Sequence, residues 1–76
     1  MTTGQAMDYT RVGLKIALMQ RGFKQAHIAK AMNKDQAWVS KVVNGWIDPS
    51  EADTARMASV LNLDVDELRT MFASVA

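Results

Sequence analysis

The chain has no cysteine. That excludes disulfides, thiolate catalysis and cysteine-bound zinc, and it fits a reducing cytoplasm. Its one histidine, His27, has no partners at ligand spacing, so no metal site is expected and a solvent-facing helix position is the simpler reading. The apolar runs, such as residues 16–19, fall far short of the roughly 20 residues that cross a bilayer. No positive charge precedes an apolar stretch at the N-terminus, so no signal peptide is expected. No stretch alternates apolar and polar residues for long, which argues against strands. With no glycine-rich phosphate loop and no group of residues that could form a triad, neither catalysis nor a cofactor is expected.

What remains is a short helical chain. Seventy-six residues make one domain. A chain of that size buries only about 60% of its unfolded surface, so its stability is marginal and dimerisation would help it. The hydrophobic share of 49% is too high for disorder and suits a packed core. The six methionines read mostly as core filler or as part of a disordered end, not as a cofactor box. The net charge is only +1, but it is unevenly spread. Residues 1–47 carry seven bases (Arg11, Lys15, Arg21, Lys24, Lys30, Lys34, Lys41) against two acids, a net of +5. Residues 48–76 carry two bases against six acids (Asp48, Glu51, Asp53, Asp64, Asp66, Glu67), a net of −4. One half suits phosphates while the other suits solvent, although ordinary solvated helix faces would give the same count.

The pattern predicts five helices. Residues 1–7, small and polar, read as an N-terminal arm ahead of a domain over 8–76. A first helix is expected over about 8–21, with Asp8 as N-cap and Gly22 as terminator. A second covers about 25–32, where Ile28, Ala29 and Met32 form one stripe. Asn33 then supplies a residue tolerant of the left-handed region. A third runs from about 36 to 44 behind Asp35, with Val39, Val42 and Val43 inward. A fourth, 51–61, opens on Ser50 and Asp53, with Ala55, Met57, Ala58 and Leu61 as its apolar surface. A fifth, about 65–72, opens on Asp64 and Glu67. The expected fold class is all-α, a compact bundle of five short helices.

The informative unit lies between Gly22 and Gly45: a short helix, a tight turn and a second helix, as a helix-turn-helix requires. Small residues are needed where the two helices cross, and Ala29 and Ser40 are placed for that. At about 100° per residue, Gln36, Ala37, Ser40, Lys41 and Asn44 fan over the side away from the valines. Glutamine can pair with adenine by two hydrogen bonds, and lysine can reach guanine or phosphate.

Over residues 14–68 the sequence resembles the lambda-repressor-like family, the Cro/phage-repressor or XRE-type helix-turn-helix class. The resemblance rests on the run RGFKQAHIAKAMNKDQAWVSKVVNGWIDPSEADTARMASVLNLDVDEL. Its anchors include Gly22, Phe23, Gln25, Ile28, Ala29, Gln36, Val39, Ser40, Asn44, Gly45, Pro49 and Leu68. Asn33 stands where the family usually has glycine, Trp38 where a small residue is common, and Val43 where an acid is common.

The resemblance implies roles. Gln25 would touch a phosphate and brace Gln36. Gln36 would read a base edge, Ala37 would offer a methyl contact, and Lys41 would reach a base or the backbone. Ser40 and Asn44 would bind phosphate. Trp38 would pack at the core edge or lie along the sugar-phosphate backbone. Trp46 and Ile47 would plug the connector, or serve a dimer contact or a phosphate-side loop. The implied function is sequence-specific binding of double-stranded DNA by a transcriptional regulator, more in the manner of a repressor, bacterial or phage-encoded. It would act as a homodimer on a palindromic operator, with Leu68, Met71, Phe72 and Val75 as interface candidates. The rival reading is an antitoxin-like or adaptor module that uses the same bundle to bind a partner protein.

Overall fold

The structure is a computed structural model, and it describes residues 10–73. The expected arm over 1–7, the cap at Asp8 and the interface candidate Val75 lie outside the described residues. Five helices run in order: α1 Val12–Arg21, α2 Gln25–Met32, α3 Gln36–Val43, α4 Glu51–Leu61 and α5 Val65–Ala73. There is no strand among the described residues. The all-α bundle is the architecture that the sequence pattern predicts.

The helix ends follow local chemistry. Gly22 (φ 73°), Asn33 (φ 57°) and Asn62 (φ 59°) all close their helices in the left-handed region. Each then lets two N–H groups return to the last carbonyls; Phe23 N–H bonds Leu18 O at 2.9 Å and Lys34 N–H bonds Ala29 O at 2.8 Å. Asn33 thus adopts the conformation that a glycine would supply there, and the turn between α2 and α3 is closed in the ordinary way. At the N-termini, Asp35 accepts from Trp38 N–H at 2.9 Å and Ser50 accepts from Asp53 N–H at 3.1 Å. Glu67 reaches back to Asp64 N–H at 3.4 Å.

The core is one cluster. Leu14 and Leu18 of α1, Ile28, Ala29 and Met32 of α2, Val39, Val42 and Val43 of α3, Met57, Ala58 and Leu61 of α4, and Leu68 of α5 are all buried in it. Helix α2 packs on α3 and α4, α1 on α5 and α3, and α4 on α5. Two expectations need correction. Ala55 is exposed, and Thr54 is buried in its stead, its hydroxyl donating to Ser50 O at 2.8 Å. Leu68 has no exposed surface, so it is core and not an interface residue. Val43 is likewise buried, so the acid common at its position is replaced by a core residue.

Helix α1 begins at Val12, not near Asp8, because Arg11 lies outside the helical region (φ −80°, ψ 85°). Its N–H donates to Val43 O at 2.8 Å, and its side chain is drawn into the bundle. The guanidinium donates to Val42 O at 2.8 Å, Ile47 O at 2.9 Å and Phe72 O at 3.0 Å, and it pairs with Asp48. It also lies 5.0 Å from the centre of the Phe72 ring. Arg11, only 5% exposed, therefore ties α1 to the end of α3, the connector and the end of α5.

Candidate nucleic-acid interface

Helix α3 carries three valines to the core, so its opposite side must face solvent. Gln36, Ala37 and Lys41 are exposed there, and Ser40 and Asn44 are half-buried beside them. Asn44 Nδ2 donates to Ser40 Oγ at 3.3 Å, which fixes the two side chains against each other. Gln25, the first residue of α2, is half-buried. The structure thus leaves Gln36, Ala37 and Lys41 open on α3, and holds Ser40 and Asn44 as a linked pair at its C-terminal end.

Trp38 stands apart from these. It is half-buried against the core cluster, and Lys34 Nζ sits 5.1 Å from its ring centre. Lys34 also meets Asp53 Oδ2 at 3.4 Å, so the turn between α2 and α3 is tied to the first turn of α4. The end of α3 has its own closure. Gly45 (φ 77°) lets its N–H bond Val42 O at 3.1 Å and Trp46 N–H bond Lys41 O at 2.8 Å. Of the pair that follows, Ile47 packs against the core, whereas Trp46 is 71% exposed. The connector plug is therefore Ile47 alone.

The positive charge is smaller than the count of bases suggests. Arg11 is buried and paired with Asp48, and Lys34 is paired with Asp53. Lys15, Lys24, Lys30 and Lys41 are the exposed lysines that remain in that half. The acids sit in the first turns of α4 (Glu51, Asp53) and α5 (Asp66, Glu67), where helix dipoles favour them. Arg69 bridges Glu51 at 2.5 Å and Asp66 at 3.2 Å; the hydrogen bond to Glu51, then its charge, raises the Arg69 pKa. A shallow pocket of about 230 Å³ is lined by Asp48, Pro49, Glu51, Thr54, Arg69 and Phe72. It lies beside this acidic side and shares no residue with the outward side of α3. Among the described residues no group of three or more His, Asp or Glu side chains could hold a metal ion. No helix among them is long and apolar enough to cross a membrane.

Sequence reasoning missed Arg11 as a structural residue and counted it with the surface bases. Its partners are mainly backbone carbonyls more than 30 positions away, and no local pattern marks them.

A short helix, a left-handed asparagine turn and a second helix with a polar outward face define a helix-turn-helix. The family model described as a helix-turn-helix domain matches residues 14–71, and the chain belongs to that family, in its XRE/Cro-like type. No curated protein matches the chain, and no solved structure does. Domains of this family are typically binding domains for DNA and not enzymes.

Proposed function

We propose that the protein is a sequence-specific regulator of transcription that reads double-stranded DNA with α3 in the major groove, more in the manner of a repressor than of an activator. One observation carries this reading. The outward side of α3 presents Gln36, Ala37 and Lys41 to solvent beside the linked Ser40–Asn44 pair, while its valines are locked in the core. A glutamine at a helix start can grip adenine N6 and N7, the Ala37 methyl can meet a thymine methyl, and Lys41 can reach guanine or a phosphate. Gln25, Ser40 and Asn44 serve phosphates, and these contacts set register without reading sequence. Trp38 packs at the edge of the core and adds its exposed remainder to the flank.

A domain this small covers one half-site, so we propose a homodimer on a palindromic operator. With Leu68 buried, Met71 and Phe72 remain as interface candidates, and Ile16 and Met19 on α1 are the exposed apolar residues that add to them. A protein acting on DNA in this way works in the cytoplasm at the nucleoid.

Selection of bound sequences from a random duplex pool tests the reading. The unaltered protein should enrich one motif. Gln36→Ala should relax the motif at one position and weaken binding by about 1–3 kcal/mol. Lys41→Ala should weaken binding and lower the salt slope by about 1 if it holds a phosphate. If neither change alters affinity or motif, α3 is not the reading helix. The adaptor reading predicts instead no enriched motif and binding to a protein partner that salt barely affects.

A further inference from the structure

We propose that Trp46 is a DNA-contact residue, its indole packing on the deoxyribose-phosphate backbone beside the phosphate that Lys41 holds. This rests on the reading of the protein as a duplex binder. Trp46 is 71% exposed, although it follows directly on the helix that faces the groove. The closure of α3 fixes where it stands. Gly45 in the left-handed region turns the chain back, and Trp46 N–H bonds Lys41 O at 2.8 Å. In this closure the residue two beyond the cap comes back beside the last full turn, so Trp46 stands next to Lys41. Lys41 is exposed and pairs with no acid among the described residues. The C-terminal end of α3 thus carries an exposed cation and an exposed aromatic residue whose backbones are joined by one hydrogen bond.

The surroundings choose the occupant. A docking site for an apolar helix needs a contiguous apolar patch. The residues of the last turn of α3 that face away from the core are Ser40, Lys41 and Asn44, all polar. The acid nearest in sequence, Asp48, is held by Arg11, which offsets the charge that would oppose a phosphate. An isolated indole among a cation and hydrogen-bonding side chains matches a sugar-phosphate backbone, which offers an apolar sugar face between anions. The contact adds affinity without adding a charge.

The test uses the duplex enriched from the random pool, with the whole chain as wild type, Trp46→Ala, Trp46→Phe and Lys41→Ala. Affinity is measured over a range of salt, and tryptophan emission is quenched with acrylamide with and without duplex. Trp46→Ala should weaken binding roughly 5- to 30-fold, as loss of an interface tryptophan does, and leave the salt slope unchanged. Trp46→Phe should retain most of the affinity, while Lys41→Ala should lower the slope by about 1. Duplex should shield wild-type emission from acrylamide and leave the emission of Trp46→Phe, which reports Trp38, little changed. Wild-type binding that Trp46→Ala does not weaken, with emission still open to acrylamide, overturns the proposal and leaves DNA binding standing. Shielding that appears on raising protein concentration without duplex overturns it in favour of a contact between copies. Failure of the wild type to bind any duplex removes the DNA reading itself and this proposal with it.

Discussion

Arg11 and Asp48 form an ion pair whose two ends differ sharply in environment. The Arg11 side chain is 6% exposed and that of Asp48 is 88% exposed. Removing the aspartate leaves an arginine still bonded to three carbonyls, so Asp48→Asn should cost under about 1 kcal/mol, the range for an exposed partner. Removing the arginine strips hydrogen bonds from Val42 O, Ile47 O and Phe72 O together. Val42 O keeps its bond from Gly45 N–H, but Ile47 O and Phe72 O lose a partner, at up to about 1–3 kcal/mol each. A domain of this length holds roughly 4–11 kcal/mol in all. Arg11→Ala should therefore lower the thermal midpoint severely or prevent folding, while Asp48→Asn shifts it slightly; thermal unfolding followed by circular dichroism checks both. Equal effects would mean that the pair, not the carbonyl bonds, carries the stability. The groove-facing residues were legible because each sits at a fixed angle from a valine on its own helix. Arg11 was not, because its bonds are long-range and to backbone atoms, which any residue type would present.

Short helices depend on their ends, since a helix of eight residues leaves as many backbone groups unpaired as it pairs. The left-handed closures at Gly22, Asn33 and Asn62 are equivalent in backbone conformation but not in side chain. Asn33→Gly should be neutral or slightly stabilising, whereas Asn33→Ala should cost about 1 kcal/mol for a Cβ at positive φ. Gly22→Ala should cost a similar amount, all of it conformational, because nothing lies within 4 Å of where the Cβ would stand. Ser50→Ala removes the cap of α4 and should cost about 1 kcal/mol. Denaturant midpoints of the four variants give these values directly, and an Asn33→Ala protein as stable as the wild type would contradict the left-handed turn. Most element boundaries were readable in the sequence because capping chemistry is local: Asp35, Ser50, Asn33 and Asn62 act on backbone within a few residues of themselves. The start of α1 was not readable, since Asp8 is a suitable cap by type, whereas Arg11, held by long-range bonds, is non-helical and sets the start at Val12. Thr54 was passed over for Ala55 for a related reason: its hydroxyl bonds back to Ser50 O, so a polar residue is buried at little cost.

At the scale of the whole molecule, charge and size together set how DNA is met. The exposed lysines that pair with no acid belong to α1, α2 and α3 and the loop between α1 and α2, while the acids of α4 and α5 are arranged as caps and ion pairs. A single copy offers few cations to phosphates, and a dimer doubles them. If a dimer makes about six phosphate contacts, its affinity should fall about a thousandfold between 50 and 200 mM salt, and a monomer should show half that slope. Geometry supplies a sharper test. Two copies fixed on a two-fold axis reach half-sites about one helical turn, 34–36 Å, apart. The described bundle runs from α1 to α5 with connections too short to stretch, so one copy cannot follow a half-site that moves. Adding 2 base pairs between the half-sites swings one of them by about 70° around the duplex at the roughly 10.5 base pairs per turn of B-DNA. Affinity should then drop to that of an isolated half-site. Binding measured against spacer length, with sedimentation at the same protein concentrations, decides the matter. A narrow optimum accompanied by a dimer supports the paired arrangement. Affinity independent of spacer, with a monomer in solution, would show that each copy reads DNA alone.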